Sequence, residues 1–455
     1  SSNGWLSAHN LYIDENGYCY IFGANRGNGG CIIYDLNSNP LNPTEIGEVD
    51  NWYVHDGMAR GDTLYLANVM DGFISIWDIS NVSNPQLLAQ QVTPGAFSHN
   101  FWISDDADYI YTTDEISDGY IGEYDISNLS NITELDKIQS SPGQNVIPHN
   151  SHFINDYLVT SYYTDGVLIH DVSNKGNMVE IGSFDTSPNY SGDGFNGCWG
   201  TYPWLPSGNI IASDIEEGLY IIGSNYQRAC FLEGTITDLN TGAAINNAQI
   251  DIVSSSITDN SIITGFYATG IANSGTYDVI YSHPQYFSDT VFGISLTSGN
   301  ITLQDVQLIP IQGFSYTVLV QNTGSTSGID SVIVNIENNS FTYNGTTDNN
   351  GIITFHSFYP GTYVINAGKW GLIEFCDSAV FIDGSSLSYV INLDSGYADL
   401  FNLDLGWTVS GGAPDGIWER GNPNGTTYAG TLSNPEDDAQ DCGNSAYITG
   451  NAGGQ

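Results

Sequence analysis

Four histidines, His9, His55, His99 and His149, recur every 44 to 50 residues, each followed by Asn or Asp, in "SAHNLYID", "YVHDGMAR", "FSHNFWIS" and "IPHNSHFI". Trp199 in "GCWGTYPW" takes the place where a fifth would fall. Imidazole nitrogen is a borderline-soft ligand, so these four rings, with Asp56 beside His55, could hold zinc or another transition metal. The same residues have a structural use: each ring would bond the main chain of a neighbouring repeat and fix how the repeats pack. His152 and His170 fall outside the column.

Other chemistry is sparse. The sequence has no His-Glu-x-x-His, no Gly-x-Ser-x-Gly elbow, no Walker loop and no dinucleotide fingerprint, which lowers the expectation of an enzyme. The turns "DENG" at 14–17 and "SDDAD" at 104–108 carry carboxylates for calcium, but Asp and Asn at turns ordinarily bond their own backbone. Seven Lys plus Arg against 51 Asp plus Glu give a net charge of −44, which repels nucleic acid and anionic lipid and favours hard divalent cations such as calcium. No apolar run is long enough to span a bilayer. The chain opens on Ser1, which suggests a processed or incomplete polypeptide. Six cysteines lie far apart with no metal-binding spacing; Cys198 and Cys230, which flank the fifth repeat, are the expected disulfide. A hairpin about "NRGNGG" would set Cys19 opposite a residue near Leu36, not opposite Cys31.

The elements that must position the histidines follow at fixed offsets. About ten residues after each comes a β-rich run such as "DTLYLANV" or "DYIYTTDE". Gly, often as Asp-Gly, then opens a second run such as "GFISIWDIS" or "GVLIHDVS", and in the first four repeats a third short run follows. With the strand that holds the His, each repeat of roughly 45 residues has four short strands, the size of a β-propeller blade. The first strand of each blade lines the central channel, so the four His should face one another near one mouth.

The "DG…I.DIS" units resemble LVIVD repeats. The order "SAHN", "VHD", "SHN", "PHN", followed by "FNGCWGTYPWLPSGNIIASDIEEGLYII", is similar to secreted Bacteroidetes proteins of the choice-of-anchor B family, over roughly residues 5–223. That resemblance implies five blades here and seven in the intact protein. From Phe231, "EGTITDLNTGAAINNAQIDI" resembles the carboxypeptidase regulatory-like domain, an Ig-like β-sandwich, with a second copy marked by "TTDNNGIITF" and "YPGTYVINAGKWG". The segment from "LGWTVSGG" resembles the opening of a jelly-roll domain from the tails of secreted peptidases and adhesins, which implies that the natural chain continues. Glu436, Asp437 and Asp438 match the acidic segment of that family, and the resemblance implies them as calcium ligands. The triplets at Thr63, Thr290, Ser331 and Ser378 resemble the O-glycosylation acceptor of exported Bacteroidetes proteins, with a surface position as the requirement.

The sequence therefore predicts an all-β chain: a propeller over 1–229, Ig-like sandwiches over 230–310 and 311–396, and part of a jelly roll over 397–455. The expected function is an extracellular or cell-surface binding and adhesion scaffold for a protein or polysaccharide partner, or for self-assembly, exported by the type IX route. The alternative is a secreted hydrolase, or its accessory part, with a metal site at the channel mouth.

Overall fold

The structure, a computed structural model, describes residues 4–410, 416–428, 431–435, 438 and 442–449. Among these residues every regular element is a strand. The first sheet takes β1 (Asn10–Ile13), β2 (Tyr18–Phe22), β3 (Cys31–Asp35) and β4 (Thr44–Val49), antiparallel in chain order. The same meander recurs in β5 (Asp56–Arg60), β6 (Thr63–Asn68), β7 (Phe73–Asp78) and β8 (Gln86–Val92). It recurs again in β9 (Ser98–Ile103), β10 (Tyr109–Asp114), β11 (Ile121–Asp125) and β12 (Thr133–Ile138). A fourth sheet takes β13 (Ser151–Ile154), β14 (Tyr157–Ser161), β15 (Val167–Asp171) and β16 (Val179–Phe184), and a three-stranded fifth takes β17 (Cys198–Tyr202), β18 (Asn209–Asp214) and β19 (Gly218–Gly223).

The repeat holds at the level of single hydrogen bonds. Each third strand of the first four sheets ends on Asp, and that carboxylate accepts an amide two residues on: Asn37 from Asp35, Ser80 from Asp78, Ser127 from Asp125 and Ser173 from Asp171, at 2.8–2.9 Å. This Asx turn stops the strand and turns the chain toward the fourth. One β-bulge stands at the same place in each, next to the residue before that Asp, at Tyr34, Trp77, Tyr124 and His170. His170 thus occupies a position that is aromatic in the other three sheets, and like them it is buried.

In the first four sheets the second and third strands are almost wholly buried, whereas the fourth strands are mostly exposed. The sheets explain this, because both faces of each middle sheet are covered. Tyr20, Phe22 and Ile33 share a core with Leu64, Leu66 and Trp77 of the second sheet. The other face of that sheet, through Tyr65, Ile74 and Ile76, meets Phe101, Ile110 and Tyr124 of the third. Burial on both faces produces near-continuous apolar runs in place of alternation. The first strands β1, β5, β9, β13 and β17 lie against one another in turn.

The chain divides into two compact units, 1–282 with 288–308, and 283–287 with 309–455. The first unit joins the region 1–229 with most of the region 230–310, which the sequence separates. The reason is an apolar and polar junction: Val179 packs on Ala229 and Phe231, the Ala229 amide donates to Asp171 Oδ2 at 2.8 Å, and Asn177 donates to the Glu233 carboxylate at 3.2 Å. There Cys230–Asp238 pairs antiparallel with Phe266–Ile271 and parallel with Ile301–Leu303 and Val306–Pro310.

In the second unit Phe314–Asn322 lies antiparallel to Ile352–Phe358 and parallel to Ser388–Leu393. A second sheet shares its core through Val334, Ile336 and Ile365 packed with Val318, Phe358 and Ile391. The two regions repeat one design. After the first strand, Asp238 accepts the amides of Asn240 and Thr241 and Asn322 accepts that of Gly324, and the bridges Thr237 to Ala244 and Gln321 to Gly328 occupy matching places. Cys376 and Cys442, 66 residues apart, form a disulfide in the second unit.

The expected Cys198–Cys230 bond is absent, since both thiols are free and buried. Cys198 opens β17 in a core with Tyr157, Val159 and Ile210, its Sγ 3.8 Å from the Gly200 carbonyl. Cys230 opens a strand of another sheet, its Sγ against Ser274 Oγ at 3.6 Å, so proximity to one repeat in sequence does not point the thiols at each other. Cys19 pairs across from Tyr34 and Cys31 from Phe22, and both are free and buried.

Candidate functional site

The histidines form a continuous stack. Ring centres of His9 and His55 are 3.9 Å apart, His55 and His99 4.1 Å, His99 and His149 4.6 Å, and His149 and Trp199 5.0 Å. Local structure sets each ring at the entry to a first strand. The amides of His9, His55 and His149 donate to the carbonyls of Phe22, Ala67 and Ser161 near the end of the second strand, each at 2.9 Å. His99 and Trp199 instead sit in β-bulges facing Asp114 and Asp214.

The residues after His9, His55 and His99 lace adjacent sheets. Asp56 accepts from the Asn10 side chain at 2.9 Å on one oxygen and from the Asn100 side chain at 2.7 Å on the other, while its own neighbour Gly57 donates at 2.8 Å. The Ser151 amide in turn donates to Asn100 Oδ1 at 2.9 Å. Burial pushes the Asp56 carboxyl up to about 6, opposed by these donors. All three partners are donors, so Asp56→Ala would strand two side-chain amides and one main-chain amide. We expect a loss of about 2 kcal/mol in the stability of the first unit, read by urea unfolding, and an unchanged midpoint would remove the lacing role.

Burial also lowers the imidazoles, to about 4 for His55 and about 3 for His149, and well below the ordinary value for His99, where neighbouring rings add to the effect. The rings are therefore neutral at ordinary pH, the form in which imidazole binds metal. Nδ1 of His99 faces the His149 carbonyl at 3.3 Å, whereas Nδ1 of His55 and of His149 are buried with no close partner, the main chain of His99 and of Trp199 lying beside those two rings.

Glu115, which the sequence pattern does not single out, follows the end of β10. Its carboxylate lies 3.3 Å from His99 Nε2 and 3.8 Å from His149 Nε2, and the Tyr163 hydroxyl donates to it at 2.6 Å. Burial raises its pKa, and the Tyr163 hydrogen bond opposes that shift. Among the described residues, His99, Glu115 and His149 form the one His, Cys and acid cluster spaced to hold a metal ion. His9, His55 and Asp56 stand outside it. His9 is exposed at the end of the stack, and the oxygens of Asp56 are committed to donors.

Three residues beyond each column position lies a second set, Tyr12, Met58, Trp102, His152 and Tyr202. Tyr12 and Trp102 pack on the core that holds Met58. Trp102, His152 and Trp204 form a ring cluster at 4.8–5.0 Å, and Tyr202 abuts Trp204 at 5.2 Å with about half its surface exposed. The sequence signal for this set is the same repeat period taken three residues past each column position.

The remaining expected positions scatter. Asp14 in "DENG" accepts the amides of Asn16 and Tyr18, and Asp106 in "SDDAD" that of Asp108, as ordinary turn residues do. Asp438 is half-buried, and Glu436 and Asp437 lie outside the described residues. Ser331 and Ser378 are exposed, Thr63 and Thr290 half-buried.

Residues 54–93 and 157–186 match the LVIVD repeat. The chain carries LVIVD repeats. The two matches coincide with β5 to β8 and with β14 to β16, and the intervening sheet of β9 to β12 repeats their bulge and Asx turn. No curated protein matches the chain. Among solved structures it is similar to the periplasmic gluconolactonase of Pseudomonas aeruginosa, with a TM-score of 0.40, 11% identity, and coverage of 57% of this chain and 72% of that one. It is also similar to a candidate 6-phosphogluconolactonase of Bacteroides uniformis, with a TM-score of 0.38, 13% identity, and coverage of 64% and 83%.

Proposed function

We propose that this chain is an extracellular or cell-surface binding scaffold whose partner is a polysaccharide. The observation that carries the reading is the aromatic cluster of Trp102, His152, Tyr202 and Trp204, with Tyr202 exposed. Aromatic faces stack on apolar sugar faces, and this cluster presents several in one place. Support comes also from the spending of Asp56, Asn10 and Asn100 on lacing sheets together, which uses up polar groups that a catalytic site would need. In this reading the LVIVD repeats make five propeller blades of a choice-of-anchor B protein. The regions 230–310 and 311–396 are Ig-like domains of the carboxypeptidase regulatory-like type, and 397–455 belongs to a jelly roll with calcium at its acidic segment. The Cys376–Cys442 disulfide fits an exported protein, and the type IX route is carried by the family resemblance alone.

A second reading, a hydrolase, is favoured by the His99, Glu115 and His149 cluster. Retention of the chain on a panel of insoluble polysaccharides distinguishes the two. We expect Tyr202→Ala and Trp204→Ala to weaken retention about tenfold each, the value of one good stacking contact. Retention indifferent to both, together with turnover of ester, lactone or glycoside substrates that is lost in His149→Gln, would replace the scaffold by the hydrolase.

A further inference from the structure

We infer that His99, His149 and Glu115 bind one borderline divalent transition metal ion, with zinc as its type. The inference is independent of the partner argued above. It starts from a contact between acceptors. Nδ1 of His99 faces a carbonyl, which can only accept, so the ring hydrogen belongs on Nδ1 and Nε2 carries a lone pair. That lone pair lies 3.3 Å from Glu115 Oε2. The other carboxylate oxygen already accepts the Tyr163 hydroxyl and lies 3.8 Å from a second ring nitrogen, His149 Nε2. His149 is 3% exposed, and its Nδ1 is buried with no close hydrogen-bond partner, the Trp199 main chain lying beside the ring, so Nδ1 can carry the hydrogen and leave Nε2 to ligate. Two neutral nitrogens and a largely buried carboxylate gathered in one place leave room for positive charge, since a carboxylate withdrawn from most of its water is costly without it.

The spacing suits an ion. Two ligand atoms at about 2.1 Å from a tetrahedral zinc lie about 3.4 Å apart. The two ring nitrogens lie 3.3 and 3.8 Å from different oxygens of the Glu115 carboxylate, and with one ligand atom from each residue all fall within 4.8 Å of one another, so closure needs a shift of at most about 1.4 Å at the widest pair. The ligands are held. His99 is clasped between the rings of His55 and His149, and His149 also abuts Tyr163 and Trp199. Glu115 hangs from Asp114, whose carboxylate accepts from Thr93 Oγ1 and the amides of Gly95 and Phe97 at 2.5–3.1 Å, and the Tyr163 hydroxyl supplies the outer-shell bond that ligating carboxylates ordinarily have. Two nitrogens and one carboxylate select a borderline ion over calcium, which prefers oxygen alone. Glu115 keeps 17% of its side chain exposed, which gives the ion an entry and leaves a coordination position for water or a ligand atom.

The test uses the full chain stripped by chelator, with zinc chloride titrated in competition with a chromophoric chelator. One zinc per chain is expected, with cobalt giving the visible absorption of a four-coordinate site. Glu115→Gln, which keeps the size of the side chain and its bond to Tyr163, should weaken binding at least tenfold, as should His149→Gln. His9→Gln, at the far end of the stack, should leave it unchanged. If His149→Gln does not fold, Glu115→Gln decides alone. No uptake, or uptake unaltered by Glu115→Gln, overturns the assignment and leaves a proton on Glu115 as the bridge between the acceptors.

Discussion

Reduction of the Cys376–Cys442 disulfide is expected to destabilise the second compact unit by about 4 kcal/mol and to leave the first unit unchanged. The bond closes a loop of 66 residues, and the chain-entropy account of a cross-link of that length gives about 4 kcal/mol through the unfolded state. Cys376 lies on the strand Phe375–Ile382, which pairs with Gly361–Gly368 of the shared core, so the bond ties the segment around Cys442 to a buried sheet. The other four cysteines are free and buried, and reductant therefore acts on one bond only. Thiol titration in denaturant should count four thiols before reduction and six after. Thermal melts of Cys442→Ser and of reduced parent should coincide, both with an early second-unit transition. Six thiols without reductant, or melts indifferent to it, would remove the bond from the account.

The division between what the sequence disclosed and what it concealed follows from the kind of contact involved. The repeat was legible because each of the first four units places the same turn and the same bulge at the same offset, so His9, His55, His99 and His149 had to fall at one place in the repeat, at or beside the start of a first strand. Their stacking follows from first strands lying side by side. Glu115 was hidden by the same regularity. The residues after β2, β6, β10, β14 and β18 are Gly23, Val69, Glu115, Tyr162 and Ile215, and an alignment that looks for agreement passes over the single carboxylate. An exception within a repeat is the signal that would have found it. The disulfide is another matter. Cys376 and Cys442 are brought together by packing between segments with no shared pattern. Cys198 and Cys230, close to one repeat, point into different sheets, and chain proximity carries no information on side-chain direction.

Two buried groups in the first unit should give stability opposite dependences on pH. Glu123 is fully buried in β11, accepting from Tyr111 at 3.1 Å and from the Gly176 amide at 2.8 Å. Burial raises its pKa to about 7, against the pull of Gly176 and Lys175. A folded value above the unfolded one means that its stabilisation is complete below about 4.5 and is lost as pH rises through about 7. Between those limits the loss is about 3 kcal/mol, at about 1.4 kcal/mol per unit. Glu123→Gln cannot titrate, so relative to the parent it should gain about 3 kcal/mol between pH 4.5 and pH 7.5 whatever its fixed offset. His170, buried at the bulge of β15, has its pKa lowered by burial to about 4 from 6.5. Here the stabilisation is present above about 6.5 and is lost as pH falls toward 4, so His170→Phe should gain about 2 kcal/mol on the parent between pH 7 and pH 5. Phe keeps the ring that Tyr34, Trp77 and Tyr124 supply at the same place in the other sheets. Urea midpoints at four pH values on parent and both variants give the two slopes. Differences from the parent that do not change with pH, or that share one sign, would mean that neither side chain changes its protonation on unfolding as its burial requires.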